Sequence, residues 1–202
     1  MTREVDANKR ATLRRFAALG AATPLVASGS AAAEEDTSAV RDAIRGYLTR
    51  TPGAHFSKLR DDLRLGTGET QHHLRRLETD GEVTSLKDGD YRRYYPAERF
   101  STFEMVALGY LRRPTPRGML VELLREPDAT GADLARALDV SRATVSNYAG
   151  ELETADLLDR SDGYAVADPE TVIALLVRYA DSFGPDAVAF ADEAARFISY
   201  DG

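Results

Sequence analysis

The sequence predicts an α+β protein, mainly α-helical with small β-hairpins, in which two small domains of the same fold follow each other. A length of 202 residues suits two such domains. From residue 38 onward the chain repeats itself without a gap and at a constant offset. The repeat pairs Leu48 with Leu123, Pro52 with Pro127, Ala54 with Ala129, and Leu-Glu-Thr at 77–79 with Leu-Glu-Thr at 152–154. Because these residues coincide in register, we interpret the pattern as two copies of one unit.

The composition excludes several kinds of functional site. With 0 cysteines the chain has no disulfide, thiol nucleophile or cysteine zinc site. Of the 3 histidines, His72 and His73 are adjacent, and neighbours on a helix point about 100° apart, so we expect no histidine metal centre. No Ser/His/Asp set, P-loop or dinucleotide-binding glycine motif is present. We therefore expect no enzyme activity, no catalytic residue, no metal and no cofactor.

Residues 1–37 differ in composition from the rest of the chain. Residues 1–15 hold five basic and two acidic groups, whereas residues 16–33 are uncharged and end in three alanines. This outline is typical of a secretory signal, and Arg14-Arg15-Phe16 is similar to a twin-arginine export motif, with the phenylalanine one place early. The alternative is an Ala-rich N-terminal arm. We expect a cytoplasmic protein, and residues 10–33 leave export or membrane anchoring open.

The first copy, residues 38–100, predicts three helices and a hairpin. Apolar residues at helical spacing and two β-prone runs around Asp-Gly give the elements, which are helices over 38–50, 56–65 and 67–80 and a hairpin over 82–95. Thr67 is the expected N-cap of the third helix, whose inward side carries Thr70, Leu74 and Leu77. His55 precedes the second helix, where we expect a cap or a buried hydrogen bond.

The second copy, residues 114–168, shows the same order after a linker helix within 101–113. Its elements are helices over 116–125, 131–138 and 141–155 and a hairpin over 157–166, shorter than the first hairpin. Ser141 is the expected N-cap of its third helix. Residues 169–202 are predicted to form the C-terminal helices. The first of these helices is apolar on nearly all sides, so it must be buried in its own domain or against a partner chain. We expect a homodimer through these helices.

Helix, helix, tight turn, helix and hairpin is the order of a winged helix-turn-helix module. The strings PGAHFSKLRDDLRLGTGETQHHLRRLETDGEV at 52–83 and ATGADLARALDVSRATVSNYAGELETADLL at 129–158 resemble the ArsR, MarR and IclR-like winged-helix regulators of archaea and bacteria. The resemblance implies that the third helix of a module enters the DNA major groove and that the hairpin forms a wing beside it.

In the first module the resemblance assigns DNA contact to the outer face of the third helix and to the wing. The residues are Thr67, Gly68, Gln71, His72, Arg75 and Arg76 on the helix and Lys87, Arg92 and Arg93 on the wing. Gln71 has the chemistry to pair with adenine, Arg75 with guanine, and the wing cations with phosphate. Strand alternation places Arg92 and Arg93 on opposite faces, so one of them is expected to meet phosphate. The alternative is a solvated helix surface.

Three wing tyrosines, Tyr91, Tyr94 and Tyr95, are expected to pack the wing onto the core. In the second module the equivalent DNA-contacting residues are Ser141, Arg142, Ser146 and Asn147. Its wing carries Asp159 and Asp162, which repel phosphate. The sequence therefore leaves open whether this module contacts DNA or serves in dimerisation or ligand sensing.

The net charge of −7 is unevenly distributed along the chain. Residues 38–100 hold twelve basic and ten acidic groups, and residues 101–202 hold nine and eighteen. We predict a sequence-specific DNA-binding transcriptional regulator whose first module binds double-stranded DNA and whose small-molecule or protein effector is unidentified. A winged-helix protein-interaction module and an exported or membrane-tethered protein are the alternatives.

Overall fold

The structure is a computed structural model that describes residues 31–194, with side chains from residue 38 onward. The chain forms two compact units that divide between Phe100 and Ser101. Most of the segment predicted as an arm or signal, and the end of the last predicted helix, lie outside the described residues. Both units are mainly helical with small antiparallel hairpins, which confirms the predicted fold class. No helix among the described residues is long and apolar enough to cross a membrane.

Among its described residues, the first unit contains three helices and a three-stranded antiparallel sheet of order β1-β3-β2. Its elements are α1 (Ala31–Arg50), β1 (Ala54–His55), α2 (Phe56–Leu63), α3 (Thr67–Thr79), β2 (Val83–Asp88) and β3 (Tyr91–Pro96). The predicted helices and hairpin are confirmed, and β2 pairs with β3 from Val83 opposite Pro96 to Asp88 opposite Tyr91. The sequence analysis missed β1, because so short a strand has no periodicity of its own and exists through its pairing with β3.

The core of the first unit is formed where the apolar sides of α1, α2 and α3 meet. The fully or nearly fully buried side chains are Val40, Ile44, Tyr47 and Leu48 of α1, Leu59 and Leu63 of α2, and Thr70, Leu74 and Leu77 of α3. Each buried leucine contributes about 1.5 to 3 kcal/mol by leaving water. His73, which the helical pattern places at the margin of this side, is also buried. One face of α3 is therefore packed inward and its opposite face is left to solvent.

A tight turn between α2 and α3 sets the direction of α3. Arg64 ends α2 in the left-handed conformation, with φ of 56°, and its N–H donates to carbonyls of the preceding turn. The N-cap of α3 is Gly66, so the predicted cap at Thr67 is wrong. Glu69 Oε2 accepts the Gly66 N–H at 3.0 Å, which fixes the start of the helix one residue earlier. Thr67 is the first residue of the helix.

His55 caps α2, as the sequence analysis expected. Its Nδ1 accepts the backbone N–H of Lys58 at 3.3 Å, so this nitrogen carries no proton in the capped state. Burial lowers the pKa of His55, and the positive charges of Arg93 and Lys58 lower it further. The neutral imidazole is therefore the form that the fold favours.

The second unit contains six helices and one two-stranded hairpin among its described residues. Its elements are α4 (Thr102–Leu111), α5 (Pro114–Arg125), α6 (Gly131–Ala137), α7 (Arg142–Thr154), β4 (Leu158–Asp159), β5 (Ala165–Val166), α8 (Pro169–Phe183) and α9 (Pro185–Glu193). The helix expected as a linker, α4, packs against α8 inside this unit. Helices α2 and α6 begin at equivalent positions of the sequence repeat, and α3 and α7 both begin and end at equivalent positions.

The hairpin of the second unit is shorter than its sequence suggests. Leu158 pairs with Val166, eight residues later, whereas Val83 pairs with Pro96, thirteen residues later. The difference is five residues, whereas the predicted spans 82–95 and 157–166 differ by four. The Asp159 carboxylate accepts the Ser161 N–H at 2.8 Å, and the chain turns directly after β4. The hairpin therefore contains only two residue pairs.

The apolar helix α8 is buried within its own unit. It begins at Pro169 with Asp168 as N-cap, whose carboxylate accepts the Thr171 N–H at 3.1 Å. Its apolar residues pack against α4 and α9, and Val177 is the large apolar side chain of α8 that stays exposed, at 43%. Of the two outcomes that the sequence left open for this helix, burial in its own domain is the one observed. The burial of α8 is therefore no longer a reason to expect a partner chain, and the homodimer stays a prediction.

Three arginines hold the helix pair α8–α9 against α4 and α5. Arg117, only 5% exposed, donates to both carboxylate oxygens of Asp186 at 2.7 and 2.9 Å and to the Leu111 carbonyl at 2.8 Å. Arg112 donates to the Ser182 carbonyl at 2.6 Å, and Arg125 pairs with Glu193. Burial acts to raise the pKa of Asp186, and Arg117 outweighs it, so that pKa lies below its ordinary value. The sequence analysis did not single out these arginines.

Removal of the buried arginine tests this arrangement. We expect Arg117→Ala to lower the free energy of unfolding of the second unit by about 3 kcal/mol, because it leaves a carboxylate and a carbonyl without their donor. Arg136→Ala is the matched control, since Arg136 pairs with Asp133 at an exposed helix surface. Hydrogen exchange of the α8 amides in the full chain measures both effects. Equal protection in the two variants would contradict the prediction.

The cap at His55 makes a prediction about pH. Because the pKa of His55 lies below the ordinary value of 6.5, its stabilising contribution is complete above pH 6.5 and is lost as pH falls through the lowered pKa. In His55→Asn the side chain still accepts a hydrogen bond and cannot titrate. Wild type should therefore lose more thermal stability than this variant between pH 7.5 and pH 5. Parallel losses would show that His55 does not carry the effect.

Candidate nucleic-acid interface

The outer face of α3 forms a continuous exposed strip. The strip consists of the six residues predicted from the sequence, all of which are exposed: Thr67, Gly68, Gln71, His72, Arg75 and Arg76. Neither Gln71 nor Arg75 forms a side-chain hydrogen bond or ion pair with another described residue, so both retain their full hydrogen-bonding capacity. Arg76 pairs with Asp80 at 2.9 Å, one turn further along the helix. The strip therefore offers one amide and one guanidinium that the fold itself does not use.

The fold of the described residues does not require a glycine at position 68. A Cβ atom built at this position meets no other atom within 4 Å, and the backbone there is helical with no positive φ. Glycine in a helix is less favourable than alanine by roughly 0.5 to 1 kcal/mol. The described residues therefore contain no contact that would explain this destabilising choice on the exposed strip.

The wing places Lys87 and Arg92 directly opposite each other on β2 and β3, and both side chains are exposed. Arg93 is only 3% exposed; it donates to the Gly53 carbonyl at 3.0 Å and pairs with Asp88. The predicted phosphate contact at Arg93 is therefore corrected, since a guanidinium held by these partners inside the unit cannot reach a ligand. Arg92 is the one of the two that faces solvent.

The wing tyrosines divide between core and surface. Tyr94 and Tyr95 are buried, as predicted, and they anchor β3 on the core. Tyr91 is 52% exposed and lies against His55, with ring centroids 5.0 Å apart, so its predicted packing onto the core is wrong. It lies at the end of β3 nearest the turn.

A carboxylate connects the wing to α3. Glu78 Oε1 accepts from the Ser85 hydroxyl at 2.6 Å and from Arg92 Nη2 at 2.9 Å, and Arg92 Nε donates to Ser85 Oγ at 2.7 Å. Burial raises the pKa of the adjacent Tyr94 hydroxyl, while the charges of Arg92 and Arg75 act in the opposite direction. Glu78 acts on this pKa in the same direction as burial, so the hydroxyl experiences charges of both signs from the helix and the wing.

In the second unit, α7 presents the equivalent surface with less charge. Ser141 is its N-cap, as predicted, and accepts the Thr144 N–H at 3.0 Å. Arg142, Ser146 and Asn147 are exposed, and Arg142 forms no ion pair with another described residue. These positions therefore keep the groups that the sequence analysis assigned to base contact, apart from the Ser141 hydroxyl, which the helix cap occupies.

The wing of the second unit contains a cation that the sequence analysis missed. Arg160 follows β4 and pairs with Glu153 at 3.2 Å. Arg113 pairs in the same way with Glu151 of α7 at 3.1 Å. The sequence repeat, which aligns Arg160 with Ser85 of the first wing, could have identified it. Both arginines are paired with acidic groups, and their side chains are only 33% and 24% exposed, against 61% for the paired Arg92 of the first wing, so they present less positive charge to solvent.

Two family models match successive parts of the chain, and the first match extends past the unit boundary into α4. Residues 38–108 match a family described as an N-terminal HTH domain. Residues 114–164 match the MarR family. No curated protein matches the chain. Each match covers a helix-turn-helix and at least part of its hairpin or the helix that follows, in the order found in the structure.

Proposed function

We propose, from the two winged helix-turn-helix domains that the chain carries, that this protein is a transcriptional regulator that binds double-stranded DNA in a sequence-specific manner. In this proposal α3 enters the major groove and the wing of the first unit lies on the phosphate backbone. The observation that carries it is the exposed strip of α3, whose Gln71 and Arg75 are unused by the fold, on a helix that also binds the exposed wing cation Arg92 through Glu78.

The exposed groups divide into those that read bases and those that hold the backbone. Arg75 has the geometry to donate two hydrogen bonds to guanine, Gln71 pairs in the same bidentate way with adenine, and His72 donates to a base edge or a phosphate. Lys87 and Arg92 contact phosphate, which adds affinity at every sequence and weakens as salt rises. Residues 38–100 hold twelve basic and ten acidic groups, which suits approach to a polyanion.

The second unit has a different balance of charge. Its described residues, 101–194, hold eight basic and seventeen acidic groups, and among the arginines only Arg142 and Arg178 lack an ion pair or a side-chain hydrogen bond. We therefore propose that the first unit supplies most of the DNA affinity. The same observation favours the alternative function, a protein-interaction module, for the second unit.

Three further parts of the proposal concern the protein in the cell. We place it in the cytoplasm, where chromosomal DNA is within reach, with an unidentified small-molecule or protein effector. The homodimer stays a prediction that light scattering at micromolar concentration can test. Intact mass and cell fractionation test the location, since export with removal of the segment 1–33 would exclude control of transcription.

The first experiment identifies a bound site and then tests Arg75. Genome-wide footprinting of the tagged protein supplies an operator fragment. We expect Arg75→Glu to weaken binding to it by at least about thirtyfold, because one bidentate base contact of about 2 kcal/mol is lost. Arg50→Glu is the matched control, with the same charge change at the exposed end of α1. If both variants lose affinity to the same extent, α3 does not read the bases. If neither variant loses affinity, the protein-interaction function is favoured.

A second experiment uses Gly68. We expect Gly68→Ala to stabilise the first unit by up to about 1 kcal/mol and at the same time to weaken operator binding about tenfold, since the added methyl group obstructs close approach of the backbone. Gly150→Ala on α7 is the control, expected to stabilise its unit without a comparable loss of binding. Thermal unfolding and fluorescence anisotropy measure the two effects. A more stable variant with unchanged affinity would contradict contact at Gly68.

A further inference from the structure

We propose that Glu78 is a positioning residue, which holds Arg92 of the wing in the orientation that meets a DNA phosphate and fixes the wing relative to α3. This inference rests on the proposed function. It concerns a carboxylate, a group that DNA repels, on the helix assigned to the major groove. Its effect on binding is therefore opposite to the one that its charge alone would produce.

The hydrogen bonds leave the outward side of the Arg92 guanidinium available. Arg92 donates from Nη2 to Glu78 and from Nε to Ser85, while its side chain remains 61% exposed. A guanidinium has five N–H donors in a rigid planar fork. Two of them are directed to α3 and β2, and those on Nη1 have no partner among the described residues. The arrangement immobilises the plane of the group and presents its remaining donors to solvent.

Stability does not explain the position of Glu78. It lies in the last turn of α3, where the helix dipole disfavours a negative charge. Exposed ion pairs contribute little to folding, and this arginine is mostly exposed. What the carboxylate adds is orientation, because it accepts from two different residues of the hairpin through one oxygen atom, Oε1.

The same connection recurs in the second unit, formed by different residues. Glu153 of α7, which the repeat aligns with Glu78, accepts from Arg160 at 3.2 Å. The repeat also aligns Arg160 with Ser85, so the partner on the hairpin is an arginine where the first unit has a serine. A carboxylate at one helix position therefore joins the helix to the hairpin in both units, although the hairpins differ in length. This recurrence supports a geometric role.

Two substitutions separate orientation from charge. Glu78→Ala and Glu78→Gln remove the same negative charge, but only glutamine keeps an oxygen that accepts from Ser85 and Arg92. We expect the alanine variant to bind the operator fragment about fivefold more weakly than wild type, and the glutamine variant to bind at least as tightly as wild type. The slope of log Kd against log salt should fall by about 0.9 in the alanine variant, as for the loss of one phosphate contact.

A double-mutant cycle identifies the partner. In an Arg92→Ala background, Glu78→Ala should cause no further loss of affinity, since there is no guanidinium left to orient. Equal tightening in the alanine and glutamine variants would show a pure charge effect, and an undiminished loss in the Arg92→Ala background would show that Glu78 acts through another group; either overturns the inference. Wild-type protein without salt-dependent DNA binding would overturn the proposed function, and this inference with it.

Thermal unfolding of the full chain controls for folding. We expect both Glu78 variants to unfold within a few degrees of wild type, because the arginine of the ion pair is 61% exposed and such pairs contribute little to folding. If the alanine variant is unstable, the glutamine variant with its unchanged fold still decides: glutamine binding that is as weak as alanine binding would contradict the inference.

Discussion

A single buried arginine in each unit donates to a carboxylate and to a backbone carbonyl, and the placement of the surrounding elements depends on it. Arg93 joins β3 to Asp88 at the far end of β2 and to the Gly53 carbonyl before β1. Arg117 joins α5 to the end of α4 and the start of α9 through Leu111 and Asp186. A guanidinium removed from water requires partners for its charge and its donors. The elements must therefore bring those partners to one place, and this requirement restricts their packing.

In the first unit this restriction determines what the wing can offer. Because Arg93 is used inside the unit, the neighbouring Arg92 faces outward, next to Glu78 of α3 and opposite Lys87. In the proposed function, the exposed strip of α3 and the exposed cations of the wing form one DNA-binding surface. In the second unit most of the arginines pair with acidic groups, and α8 and α9 cover apolar surface that a partner chain could otherwise bind. The two winged-helix domains thus share a plan and differ in what their surfaces can bind.

Much of the architecture could be predicted from the sequence, for reasons that are local. Helices α3 and α7 follow from apolar residues at helical spacing such as Leu74 and Leu77, and the first hairpin follows from an Asp-Gly turn between β-prone runs. The N-cap at Ser141 follows from residue type alone. The cap at Thr67 was predicted wrongly because Glu69 binds the Gly66 N–H, and the strand β1 was missed because its existence depends on β3, which lies far along the chain.

The sequence by itself determined the repeat, the helix-turn-helix order and the outer residues of α3, because helical periodicity specifies which side chains share a face. It also determined that residues 38–100 carry a small net positive charge and residues 101–202 a large net negative one. Only the tertiary structure decided that Arg93 is buried and Arg92 exposed, that α8 is covered within its own unit, and that Glu78 binds the wing. Those outcomes depend on which partners lie across the unit from a side chain, and contacts between distant segments leave no local pattern in the sequence.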